Sequence, residues 1–154
     1  MLKEGDAAPE FQLPADDGRE ISLEDLLGKH VVLYFYPKAS TPGCTTEAIE
    51  FRDLKKEFDK LNAVVLGCSA DSVEAQAKFK AKQKLNFSLL SDPEFIAIEA
   101  YDARRMKSFL GKSYLGIVRS TVLIGPDGKV EKIWATAKAK GHAADVVEAL
   151  KGLQ

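Results

Sequence analysis

Hydrophobic and polar positions divide this chain of 154 residues into short, well-punctuated runs. Phe11–Leu13 and Glu20–Ser22 flank Asp16-Asp17-Gly18, a strong turn signal, and predict an N-terminal β-hairpin. Ser22, with Asp25 three residues on, opens a short helix over 22–28 that Gly28 is placed to end. Residues 30–37, HVVLYFYP, are apolar almost without a break, the pattern of a central strand covered on both faces. A long helix is predicted from Pro42 to Leu61, then a second buried strand over 63–70 and a surface helix over 72–84. The run FSLLSD predicts a third strand over 87–92, with Asp92 as cap and Pro93 at the first position of the helix that follows. Residues 120–135 form a hairpin around Pro126-Asp127-Gly128, and 141–153 an amphipathic helix. The order β-α-β-α-β-α-β-β-α predicts an α/β sandwich in which helices flank a mixed central sheet. No repeat, low-complexity tract or linker interrupts it, so residues 1–154 read as a single domain.

Composition narrows the field. With 22 Lys and Arg against 23 Asp and Glu the net charge is -1, so no overall field favours nucleic acid or an anionic membrane. The cluster Arg104, Arg105 and Lys107 reads as a solvated loop. No run is long and apolar enough to span a bilayer, and MLKEGDAAPEF lacks the apolar core of a secretory signal. The chain has 2 cysteines, which do not make a disulfide scaffold. A reducing cytoplasm is therefore the expected compartment.

One cysteine has a chemically suggestive position. Thr41 reads as N-cap, Pro42 and Gly43 as the first two helical residues, and Cys44 as the third. Free backbone N–H groups and the positive end of the helix dipole favour an anion there, and a thiol so placed is biased toward thiolate. At ~100° per residue, Cys44 shares a face with Ala48, Phe51, Leu54, Phe58 and Leu61. Its sulfur should therefore start the core-facing stripe, at the end of the strand 30–37. Read by itself, the cysteine could equally be a small buried hydrophobe.

The run FYPKASTPGCTTEAIEFRD, with its Pro-x-x-x-Thr-x-x-Cys pattern over residues 37–44, resembles the peroxiredoxins. It is most similar to their Q-type branch, the bacterioferritin comigratory proteins. LKEGDAAPEFQL, LLSD, GIVRSTVLIGPDGKV and KGHAADVVEAL extend the resemblance over essentially the whole chain; it is loosest across 100–115. The resemblance implies a thioredoxin-like fold and an antioxidant peroxidase that uses no organic or metal cofactor. It implies that Cys44 attacks a peroxide and becomes a sulfenic acid, that the Thr41 hydroxyl bonds the sulfur and the peroxide, and that Pro37 shields the sulfur from water. Arg119 would fold back onto the pocket, oriented by Glu47. Thr41, Gly43, Cys44, Glu47 and Arg119 would then line the peroxide site. A guanidinium beside helix N–H groups suits this chemistry, because it acts where charge develops on the leaving oxygen.

The chain departs from the family at Ile49, where many Q-type members have a second, resolving cysteine. Residues 72–84, the other place for one, hold no cysteine either. An outside thiol (thioredoxin, glutaredoxin or glutathione) is expected to reduce Cys44, in a monomer or weak homodimer. Two alternatives stay open. Cys68, near the end of a neighbouring strand, could act as resolver rather than as an inert strand residue. A non-enzymatic thioredoxin-like module could also bind partners or sense redox state through Cys44. His30 and His142 stand apart from each other and from any cluster with metal-ligand spacing. There is no Cys-x-x-Cys pair and no glycine-rich phosphate loop, and Trp134 reads as a packed aromatic.

Overall fold

The computed structural model describes residues Met1–Gln154. Strands β1 (Gln12–Pro14) and β2 (Glu20–Ser22) pair antiparallel as the expected N-terminal hairpin. The segment after β2 forms only a single 3-10 turn, Glu24–Leu26, which the Ser22 hydroxyl enters by accepting the Asp25 N–H at 3.3 Å. The fold is then built on β3 (His30–Phe35), α1 (Pro42–Asp53), α2 (Lys55–Lys60), β4 (Ala63–Ser69), α3 (Val73–Gln83), β5 (Ser88–Ser91) and α4 (Ile96–Ala100). β6 (Arg104–Phe109), β7 (Lys112–Ile117), β8 (Ser120–Ile124), β9 (Val130–Trp134) and α5 (His142–Gly152) complete it.

The central sheet has the order β5-β4-β3-β8-β9. β3 runs parallel to β4 and antiparallel to β8, so the sheet is mixed, as the hairpin 120–135 predicts. Every residue of β3 is buried because the sheet has a hydrophobic core on each side. Val32, Tyr34 and Tyr36 point into one core with Cys44, Ala48, Phe51, Phe58 and residues of α5. Val31, Leu33 and Phe35 point into the other, with the N-terminal hairpin and α4. This is the period of two in a strand, read on two covered faces.

Three expectations need correction. The helix expected over 42–61 divides at Leu54, whose φ of -99° and ψ of 11° leave the helical region. The Leu54 N–H is shared between the Glu50 and Phe51 carbonyls, and the apolar stripe continues across the break because Phe51 and Phe58 are fully buried. Asp92 does cap α4, but from a distance: its carboxylate accepts the N–H groups of Ile96 and Ile98 at 2.8 and 2.9 Å. Pro93 lies in the turn before the helix, not in its first position. The basic cluster at 104–107 is not a loop but half of the antiparallel hairpin β6–β7. A ribbon with water on both faces has no apolar alternation to reveal it.

Gly67 marks where packing is tightest around β3. A Cβ there would meet the Tyr34 ring at 3.0 Å, and that ring is stacked on Phe51 at 4.6 Å, so it has no room to retreat. Gly67→Ala is expected to destabilise the fold by roughly 1–3 kcal/mol, measured by urea unfolding followed by far-ultraviolet circular dichroism. An unchanged midpoint would mean that the aromatic stack yields easily.

Candidate active site

The loop joining β3 to α1 is held by bonds to its neighbours before any chemistry is considered. Tyr36 N–H bonds to the Cys68 carbonyl at 3.1 Å, and Ala39 N–H bonds to the Asp71 carboxylate at 2.8 Å. Ser69 donates to the same carboxylate, and Gln76 to Ser69. Ser40 adopts a φ of 66°, a conformation few non-glycine residues take outside a constrained turn. Pro37 is half-buried where this loop leaves β3.

At the end of the loop Thr41 is extended and Pro42 opens α1, as the sequence predicts. The Thr41 side chain does not cap the helix: its hydroxyl donates to the Lys38 carbonyl at 2.8 Å. The first-turn N–H groups are therefore not taken up by a capping side chain, and Cys44 lies among them, buried. Its neighbours in the core are the Tyr34 and Tyr36 side of the sheet.

Arg119 reaches this sulfur from the far side. It follows β7 and precedes β8, and its Nη2 lies 3.4 Å from Cys44 Sγ. Its Nη1 donates to Glu47 Oε1 at 2.7 Å. Glu47 is one turn beyond Cys44 on α1 and fully buried. Burial pushes its carboxyl up to about 7, against the downward pull of Arg119. Burial also works against the charge on Arg119, but Glu47 and Cys44 outweigh it and hold the guanidinium above its usual range. A Cβ at Gly43 would come within 3.1 Å of Arg119 Nη2, so glycine at that position leaves room for the guanidinium. The structure thus brings Gly43, Cys44, Glu47 and Arg119 into contact, with Thr41 three residues before Cys44 and its proton committed to the Lys38 carbonyl.

Cys68 is not part of this group. It pairs in register with Phe35 and belongs to the core on the opposite side of the sheet from Cys44. It is completely buried, and burial pushes its thiol well above the usual range. Cys68 lies near the end of β4, beside the end of β3, but the alternation of side chains along the strand sends it to the face opposite Cys44. Ile49 is half-buried on α1.

Further buried polar groups lie beside the site. His142 Nε2 lies 2.7 Å from the Thr121 hydroxyl, in the core behind the site. Burial, opposed by Asp145 and aided by Arg119, lowers the His142 pKa to about 4, so the ring is neutral there. Tyr34 and Glu47 each keep one buried oxygen without a hydrogen-bond partner. The only available signal was weak: a tyrosine inside a fully apolar strand, and a histidine at a helix start. No group of three or more His, Cys, Asp or Glu is arranged to hold a metal ion.

A lone helix-start thiol beside a half-buried arginine, on a thioredoxin-like sheet preceded by a hairpin, defines the peroxiredoxin class of thiol-dependent peroxidases. The AhpC/TSA family model matches residues 4–133, and the chain belongs to that family, in its peroxiredoxin Q or bacterioferritin comigratory branch. It is 47% identical over 149 residues to peroxiredoxin Bcp of Bacillus subtilis, covering 97% of this chain and 95% of the relative. It is 50% identical over 149 residues to a putative peroxiredoxin bcp of Helicobacter pylori, covering 97% and 98%. The solved structure of the Xanthomonas campestris bacterioferritin comigratory protein, described for its alkyl peroxide reduction, matches with a TM-score of 0.91 at 42% identity. That match covers 99% of this chain and 98% of the other. The chain is therefore an enzyme, and the purely binding or sensing module is set aside.

The carboxyl of Glu47 carries a pH dependence whose sign is fixed. Because burial raises its pKa from the ordinary 4.5 to about 7, the folded state holds this proton more tightly than the unfolded chain. Its contribution is complete below about 4.5 and is lost as the pH rises through about 7. The stability of the wild type minus that of Glu47→Gln should therefore fall across this window and be level on either side. Urea midpoints measured from pH 4 to 8 test it; a difference that rises with pH would show that the ion pair with Arg119 dominates over burial.

Proposed function

We propose that Cys44 is the peroxidatic residue and that its cycle is completed by an external thiol. The observation that carries this reading is the contact of Arg119 Nη2 with Cys44 Sγ at 3.4 Å, at a helix start whose side-chain cap is turned away. The Cys44 thiolate attacks the terminal oxygen of a hydroperoxide, hydrogen peroxide or an organic one. The S–O bond forms as the O–O bond breaks, giving Cys44 sulfenic acid. The departing alkoxide or hydroxide takes a proton from solvent. Arg119 and the first-turn N–H groups, including that of Cys44, stabilise the charge as it shifts to the leaving oxygen. Glu47 positions Arg119. Gly43 admits the guanidinium, and Pro37 limits water at the mouth.

The Thr41 hydroxyl acts as an acceptor in this scheme. Its proton goes to Lys38 O, so it offers lone pairs to the hydrogen of an incoming peroxide and does not donate to the sulfur. No organic or metal cofactor enters any step.

The sulfenic acid then condenses with a thiol from thioredoxin, glutaredoxin or glutathione. Cys68 is disfavoured because a bridge would have to cross the plane of the sheet, and a disulfide needs Cα atoms within about 7 Å with converging side chains. Ile49 offers no thiol. We assign the enzyme to a reducing cytoplasm, as a single domain acting as a monomer or weak homodimer. No helix is long and apolar enough to cross a membrane.

Two experiments test the reading. Cys44→Ser should abolish peroxide consumption, whereas Cys68→Ser should turn over near the wild-type rate. Mass spectrometry after one equivalent of peroxide should show Cys44 as sulfenate, and excess peroxide without thiol should drive it to sulfinate. A Cys44–Cys68 bridge as the main product would make Cys68 the resolver. Separately, Arg119→Ala should slow the peroxide reaction by roughly 10²–10³-fold, the usual cost of one preorganised donor. Alkylation of Cys44 at neutral pH should slow less, since alkylation has no charged leaving oxygen of this kind. Equal slowing of both would confine Arg119 to stabilising the thiolate.

A further inference from the structure

The cycle just proposed needs a second thiol from outside, yet Cys44 is buried, so the surface around the site has to receive whatever brings that thiol. The hairpin β6–β7 is rooted there. Val118 N–H bonds to the Ala103 carbonyl at its base, and Arg119 is the next residue. Lys107, in the middle of β6, donates to the Ile117 carbonyl at 2.8 Å and is close enough to feel the charges of Arg119 and Cys44. The hairpin makes its own two-stranded sheet and is not part of the central one.

Its outer part is unusually apolar for an exposed ribbon. Met106, Phe109, Leu110, Tyr114 and Leu115 are all exposed, and five of the molecule's nine exposed large hydrophobics fall within these ten positions. Register separates them: Met106 pairs with Leu115 on one face, while Lys107 pairs with Tyr114 and Phe109 with Lys112 on the other. The face carrying Phe109 and Tyr114 is therefore the one shared with Lys107, toward the site.

The turn residue Leu110 is the clearest anomaly. Leu110 and Gly111 have φ of 51° and 78°, the type I′ geometry, for which asparagine is preferred at the first position. A leucine in that conformation is strained, and at 87% exposure it gains nothing from burial. Neither the turn nor the core asks for it. Charge is equally one-sided. From Ala103 to Pro126 there are Arg104, Arg105, Lys107, Lys112 and Arg119 and no acidic residue, although the chain as a whole is at -1.

We propose that this hairpin is the docking surface for an acidic protein dithiol, which seats the apolar surface around its own thiol on Phe109, Leu110 and Tyr114. One reductant thiol attacks the Cys44 sulfenic sulfur, forming a mixed disulfide and releasing water. The second thiol attacks the reductant's own sulfur in that bond and frees Cys44 as thiolate. The reductant leaves as a disulfide, having supplied both electrons. This assignment rests on the external-thiol cycle above and adds the partner's class and its landing site.

The test compares two donors: thioredoxin kept reduced by its reductase and NADPH, and dithiothreitol, which needs no docking surface. Leu110→Asn suits the turn and should leave or raise Tm. With thioredoxin, Leu110→Asn and Phe109→Ser should each lower kcat/KM by roughly tenfold, the scale of a lost apolar anchor. With dithiothreitol they should match the wild type. Met106→Ser, on the reverse face, should match it with both donors. The thioredoxin rate should also fall as salt is raised. Unchanged thioredoxin kinetics in Leu110→Asn overturns the proposal, as does an equal loss with both donors or with Met106→Ser. So does a Leu110-dependent dimer in sedimentation, or Leu110-dependent binding to phosphatidylglycerol vesicles. If no thiol supports turnover of the wild type, the external-thiol cycle itself fails, a result distinct from all of these.

Discussion

The ion pair of Glu47 with Arg119 is the interaction on which the site depends. It joins α1 to the segment between β7 and β8, which are far apart in the chain, and it is closed at 2.7 Å with the glutamate fully buried. Taking the glutamate wholly and the arginine largely out of water has a desolvation cost that their attraction offsets only in part, so the pair is a poor explanation of stability. Its effect is geometric. With Nη1 fixed on Glu47, the planar guanidinium has Nη2 left for the sulfur, and a fork of this kind cannot turn one arm without moving the other. A lysine at 119 could neutralise Glu47 but would not present a second donor at a set angle.

The same sheet that supports this pair isolates the second thiol. β3 and β4 run parallel in register, so Phe35 and Cys68 are neighbours, and both point away from the core that holds Cys44, Tyr34 and Tyr36. Moving Cys68 to the other face would require a one-residue slip of β4, which would also exchange Val65 and Leu66 between cores. The period of the sheet therefore turns Cys68 away from Cys44, before any question of reactivity. On the helix, Ile49 is half-buried where a resolving cysteine would otherwise stand, which favours keeping α1 wound through the cycle.

The chain revealed its elements where burial imposes a period. Strand β3, the stripe of Cys44, Ala48, Phe51 and Phe58, the hairpin 120–135 and the final helix were all legible, because each has at least one covered face. The thiol's place at the helix start was legible from Thr41-Pro42-Gly43 alone. Glu47 and Arg119 were legible only through resemblance, since nothing local distinguishes a glutamate or arginine that will meet a partner 72 residues away. The hairpin β6–β7, the His142–Thr121 contact and the direction of the Thr41 proton were not legible. The first lacks a buried face, and the other two are set by tertiary packing rather than by neighbours in sequence.

These facts bear on how the two halves of a turnover divide over the molecule. In the proposed cycle oxidation is served by Cys44, Arg119 and Glu47, the thiol and the carboxyl buried and the guanidinium partly exposed between them. Reduction has no such provision inside the fold, since Ile49 carries no thiol and Cys68 faces the wrong way. A chain with a resolving cysteine can present its disulfide at a distance from the peroxide site, and its reductant need never approach the buried sulfur. In the proposed cycle the reductant comes to Cys44 itself. Specificity for the reductant then has to lie in residues that border the peroxide site without lining it. The segment that ends at Arg119 meets that requirement: its base is bonded to the fold at Ala103 and Val118, and its tip is free.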